Sequence, residues 1–121
     1  MENNNLKDFG KEFIESVRDN TLTDFEKISK GELRSKRGQE LFEKISQFDE
    51  IQLETIKDIV RNMVDKSIFN TLFFFEENEE WIISNPENDI DDINELSDGL
   101  SGELYTDDGW ISKFSKFPKT L

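Results

Sequence analysis

Apolar residues recur at helical spacing over the first two-thirds of the chain. Leu6, Phe9, Phe13 and Val17 follow one another at three- and four-residue steps, which predicts an amphipathic helix over 6–18 that Asn20 ends. Thr23 and Glu26 stand in capping-box spacing, and Gly31 sits where a left-handed helix end belongs. Together they predict a short second helix burying Phe25 and Ile28. A connection carrying Lys30, Arg34, Lys36 and Arg37 leads to a third helix over 38–47 with Leu41, Phe42 and Ile45 inward. Asp49 and Gln52 repeat the capping-box pattern and open a long fourth helix over 50–75. Its apolar positions are Leu53, Ile56, Ile59, Val60, Met63, Val64, Ile68 and Leu72. Its polar face carries Glu54, Lys57, Asp58, Arg61, Asn62 and Asp65. The end of that helix, "SIFNTLFFF", is apolar on all sides. That pattern assigns Phe69 and the run Phe73, Phe74, Phe75 to the core, with an exposed docking patch as the alternative.

Beyond Glu80 the period changes. "WIIS" is short and partly β-branched, "NPEND" reads as a turn, and "IDDINEL" fits either a short strand or a helical turn. A two-stranded hairpin of 80–84 with 89–96 is the expectation. Trp81, Tyr105 and Trp110 fit core and contact positions alike. "DGWISKF" predicts a short closing helix capped by Asp107 or Asp108, with Trp110, Ile111 and Phe114 on one face. The fold class is therefore mainly α: one domain over 1–121, frayed at 1–5, helical over 6–79, and built of short strands, turns and a closing helix over 80–121.

Composition narrows the chemistry. The 121 residues include 11 Phe and 2 Trp, which separates the chain from disordered acidic sequences despite 36% charged residues. There is no Cys and no His. Disulfides, thiolate metal sites and Ser-His or Cys-His nucleophilic catalysis are excluded, as is an ordinary zinc site. No apolar run is long enough to span a membrane, and the N-terminus lacks the basic and apolar regions of a signal peptide. Cytoplasmic residence is the expectation.

The net charge of −13 belongs to one segment. From Ser67 to Ser112 there is no Lys or Arg, while the window holds 13 acids; the other 15 acids equal the 15 basic residues. Such a field repels nucleic acid and anionic membranes and steers cationic partners inward. The basic group Lys30, Arg34, Lys36 and Arg37 is interleaved with Glu32 and Glu40, has no aromatics beside it, and reads as a solvated turn rather than a nucleic-acid contact.

The stretch "SDGLSGELYTDDGWISKF" gathers glycines, carboxylates and aromatics as an active-site loop would. A calcium loop starting at Asp89 fails, because its fifth and sixth positions are Ile93 and Asn94. "DGLSG" lacks the positive surroundings a phosphate requires. No feature singles out a carboxylate pair for hydrolysis. A structural closing motif, with glycines for turns and aromatics for packing, accounts for the stretch.

Residues 95–117, "ELSDGLSGELYTDDGWISKFSKF", resemble the C-terminal ending of small acidic bacterial proteins of uncharacterised function, with a looser echo in "MVDKSIFNTLFFFEE". The resemblance implies a fold-defining C-terminal signature and carries no activity. In size and charge the chain is similar to immunity proteins that neutralise bacterial toxins, by analogy only.

The reading that results is a non-enzymatic module without cofactor or metal. It binds a basic protein, such as a nuclease toxin, through Glu76, Glu77, Glu79, Glu80, Asp89, Asp91, Asp92, Asp98, Glu103, Asp107 and Asp108. It is a monomer or a homodimer, and contacts neither nucleic acid nor membrane. The alternatives are a homodimeric structural or regulatory protein, a carboxylate-based hydrolase and a divalent-metal binder. Convergence of Asp98, Glu103 and Asp107 in an apolar-walled pocket would favour the hydrolase.

Overall fold

A computed structural model describes residues 4–118, and the fold is mainly α, a single small domain. The expected fraying of Met1, Glu2 and Asn3 lies outside the described residues; Asn4 and Asn5 are already helical. Helical backbone runs unbroken from Asn4 to Lys30: α1 (Asn4–Phe13), a π-helical segment (Ile14–Asp19) and α2 (Asn20–Lys30). Asn20 does not end a helix, and Thr23 lies inside one; Phe13, Asp19 and Asn20 all keep right-handed helical angles. The stop comes at Gly31, whose φ of 74° is left-handed and whose N–H bonds the Ile28 carbonyl at 3.2 Å. A side chain at Gly31 would also collide with the Phe42 ring.

Helix α3 (Lys36–Ile45) starts two residues earlier than the pattern suggests because Ser35 caps it, accepting from the Gly38 N–H at 3.1 Å. Helix α4 (Glu50–Glu76) opens on the capping box that Asp49 and Gln52 predict, with both reciprocal hydrogen bonds formed. At 27 residues it is the axis of the molecule, about 40 Å long at the usual helical rise. Arg18 meets Asp65, while Leu22, Phe25 and Glu26 share a small cavity with Lys57 and Arg61. The long N-terminal rod therefore runs antiparallel to α4.

The core lies at one end of this pair. Ile14, Ile68, Leu72, Ile90, Ile93, Leu100, Leu104, Trp110 and Ile111 are all buried there. Six of these come from the segment after residue 80, which folds over the helices as three 3₁₀ turns (Pro86–Asn88, Ile93–Leu96, Leu100–Glu103) and α5 (Trp110–Phe114). The expected hairpin is absent among the described residues. One antiparallel bridge, Asn85 with Ile90, stands in its place, beside a bond from the Ile93 N–H to the Ile83 carbonyl. The alternation in this segment is too short to sustain a ladder, and Ile90 and Ile93 bury themselves at turn spacing instead. Glycine allows one close approach here: Gly10 lies flat against the indole of Trp110, where any β-carbon would overlap the ring. The N-cap position of α5 is Gly109, not Asp107 or Asp108 as expected, and it brings no side-chain cap.

At the π segment the molecule is pinned by charge. Arg18 is fully buried and spends its guanidinium on Asp65 (2.5 and 3.2 Å), Ser115 Oγ (2.7 Å) and the carbonyls of Phe117 and Pro118 (2.9 and 2.8 Å). Asp19 accepts from Ser115 Oγ and the Lys116 N–H. Asp65 is thus a buried partner, not a solvated position. The extra residue of a π turn rotates Arg18 and Asp19 inward together, and the tail that follows α5 is held by these polar contacts.

Candidate partner-binding surface

The C-terminal turns of α4 and the loop that follows form the most unusual surface of the molecule. A helix turns about 100° per residue, so three successive apolar residues cannot all face one core. Leu72 is buried and Phe75 partly so. Phe73 and Phe74 point outward, and the expectation that both are core is corrected. Phe73 stacks on Phe69 and Phe74 meets Phe75 edge to face, so both rings are seated while open to solvent. Farther along the loop, Trp81 is 63% exposed and Ile82 is exposed as well. Trp81 is therefore surface, whereas Trp110 is core and Tyr105 lies half-way between.

Carboxylates lie between these side chains along the chain. Glu77, Glu79 and Glu80 are exposed. Glu77 is the C-cap of α4, and the last turn of that helix holds no basic residue. The helix end carries partial negative charge of its own, which disfavours three further carboxylates. The loop is nevertheless fixed: Asn78 Oδ1 accepts from the N–H groups of Glu80 and Trp81 at 2.9 and 2.8 Å. From the other side, Asn94 Nδ2 donates to the Phe75 carbonyl, which also takes the Asn78 N–H.

The remaining sequence candidates divide. Glu76 is structural: its Oε1 accepts from the N–H and hydroxyl of Ser101, both at 2.8 Å, anchoring the third 3₁₀ turn. Asp92 caps the second 3₁₀ turn through the Asn94 N–H. Glu103 accepts from Ser97 Oγ at 3.1 Å. Asp89, the sole non-glycine residue with positive φ among those described (56°), ends the first 3₁₀ turn. Asp89, Asp91, Asp98, Asp107 and Asp108 are exposed.

Asp98, Glu103 and Asp108 line one cleft. With Lys7 and Lys113 they edge a cleft of about 230 Å³ walled by Leu6, Leu96, Trp110 and Phe114; Asp107 is not part of its lining. Among the described residues no three acidic side chains are grouped to hold a metal ion, and no helix is long and apolar enough to cross a membrane.

Sequence reasoning missed Met63, Phe73, Phe74 and Ile82 as surface residues, and Arg18 with Asp65 as a buried pair. The first group had a signal: an apolar run wider than one helix face must leave part of itself in water. The pair had none, since nothing in a sequence joins residues 47 positions apart. Tyr105 belongs to the same region: its hydroxyl donates to the Asp65 carbonyl at 3.0 Å. Burial, and then the Asp65 charge, push its pKa above the usual tyrosine value against a smaller opposing effect of Arg18. Comparison with protein-family models, curated proteins and solved structures gave no significant match for this chain.

Proposed function

We propose that the chain is a non-enzymatic binding module that docks a basic protein on the C-terminal end of α4 and the loop after it. One observation carries this reading. Phe73, Phe74 and Trp81 are exposed among Glu77, Glu79 and Glu80, at a helix end whose own field opposes negative charge. Residues that cost local stability and sit in solvent are best accounted for by what they bind. Aromatic anchors supply affinity and carboxylates speed encounter, and no Lys or Arg between Ser67 and Ser112 neutralises them. The partner class that fits is a protein whose working face already binds phosphates, such as a nuclease toxin. The chain then acts in the cytoplasm as an immunity-type inhibitor, presenting carboxylates where phosphates would lie.

The test is association with a panel of basic nuclease domains. Binding slows as salt rises, and Glu77→Lys, Glu79→Lys and Glu80→Lys together slow it further and flatten its salt dependence. Association rates that stay constant from about 50 to 500 mM salt contradict the reading.

A carboxylate-based hydrolase is the second reading, favoured by the cleft that gathers Asp98, Glu103 and Asp108. It ranks below the first because two lysines share that cleft, Asp98 and Asp108 are open to water, and its volume falls under the roughly 300–1,000 Å³ of ligand pockets. Glu103→Gln abolishing a hydrolytic activity of the purified chain would reverse the ranking.

A further inference from the structure

The outer face of α4 has a shape that the acidic rim alone does not require. Met63 is 56% exposed and Phe74 50% exposed, and between them lie Ser67, Asn70 and Thr71. Large apolar side chains at both ends, with Lys66, Ser67, Asn70 and Thr71 between them, make a shallow, open saddle. Eleven residues of helix separate the two large side chains by about 16 Å, and a helix with its side chains is roughly 10 Å across. The polar cost of covering the floor is reduced because the Thr71 hydroxyl already donates to the Ser67 carbonyl at 2.8 Å. The mid-helix backbone has no open hydrogen-bonding groups, so an added β-strand has nothing to pair with, and a crossing helix has a groove to fill.

Charge gives the occupant a direction. Glu77, Glu79 and Glu80 lie just past Phe74, whereas the saddle's one cation, Lys66, stands toward the Met63 end. We infer that the saddle receives an amphipathic basic helix of the partner, its apolar face on Met63 and Phe74 and its Lys or Arg side chains toward Glu77, Glu79 and Glu80. The inference rests on the reading of this end as a basic-partner surface, and adds which element of the partner is recognised.

The probe is a Trp-free amphipathic peptide helix of lysine and leucine, titrated into the full chain. Its glutamate–leucine counterpart and oligolysine serve as comparisons. Trp81 is exposed and Trp110 is 4% exposed, so fluorescence changes report the α4 end. The lysine–leucine helix binds more tightly than either comparison peptide. Phe74→Ala and Met63→Ala, both at exposed positions, leave the circular dichroism unchanged and each weaken binding about tenfold. Lys66→Glu strengthens it.

Equal binding of oligolysine, or indifference to Phe74→Ala and Met63→Ala while Glu77→Gln, Glu79→Gln and Glu80→Gln together abolish binding, overturns the saddle and leaves the acidic surface standing. A glutamate–leucine peptide that binds as well as the basic one overturns both. A dimer in sedimentation that Phe74→Ala dissociates gives the saddle to a second copy of the chain and overturns the basic-helix occupant.

Discussion

At its first turn α4 has Asp49 and Gln52 closing a reciprocal cap, with Glu50 placed favourably for the helix dipole. Twenty-seven residues later the same helix runs out into Glu76 and Glu77 with no basic side chain in the last turn, and two solvent-facing phenylalanines stand beside them. The N-terminal end follows the rules that stabilise helices. Two turns in, Lys57 pairs with Glu54, and outside residues 67–112 acids and bases balance. The C-terminal end breaks those rules in charge and in burial together. A helix satisfied at one end and opposed at the other shows where stability and binding pull apart, and it locates the candidate surface without reference to any pocket.

The contrast holds only if the two ends are joined by a rigid middle. Asp65→Asn attacks that middle: it leaves the Arg18 guanidinium buried without its counter-charge. The expected loss is about 3–5 kcal/mol, read as a lowered urea midpoint. A loss below about 1 kcal/mol would mean that the pin is not what registers α4 against the N-terminal rod.

Asp49→Ala removes the cap at the conforming end and should cost about 1 kcal/mol, with hydrogen exchange accelerated in the first turn of α4 and unchanged near Leu72. Tyr105→Phe probes the same middle through pH and costs about 1 kcal/mol for the lost bond to the Asp65 carbonyl. Because the folded pKa of Tyr105 is raised, its contribution is fully present below the ordinary tyrosine value of about 10. It is lost as pH rises through the higher folded value. The stability difference between the native chain and Tyr105→Phe should therefore be flat below about 10, shrink from there up to the folded value, and level off above it.

Much of α4 was legible because its signals are local: a capping box within four residues and a sustained apolar period; Gly31, ending α2, was a local signal too. Asn20 misled because propensity speaks against it inside a helix, while the π turn and the burial of Arg18 and Asp19 override propensity. In the segment after residue 80 the closing helix with Trp110, Ile111 and Phe114 on one face was legible, and the hairpin was the wrong geometry. Ile90, Ile93 and Trp110 are buried, but by turns and a short helix, since the glycine- and acid-rich spacing between them leaves no strand long enough to pair. The candidate surface was half legible. Its carboxylates announced themselves through the base-free window, yet Glu76, Asp92 and Glu103 proved to be tied to local hydrogen bonds, which depends on where the chain returns. Phe73 and Phe74 were hidden by the assumption that phenylalanine means core.

The smallest expected stability change bears on the central claim most directly. Glu77→Gln, Glu79→Gln and Glu80→Gln together remove the charges that oppose the helix end. The urea midpoint of this variant, measured at low and at high salt, should rise at low salt by the equivalent of a few tenths to about 1 kcal/mol. The gain should fade as salt screens the native chain. A midpoint that falls, at either salt concentration, would show that these carboxylates stabilise the fold and would contradict the account of them as a surface kept for a partner.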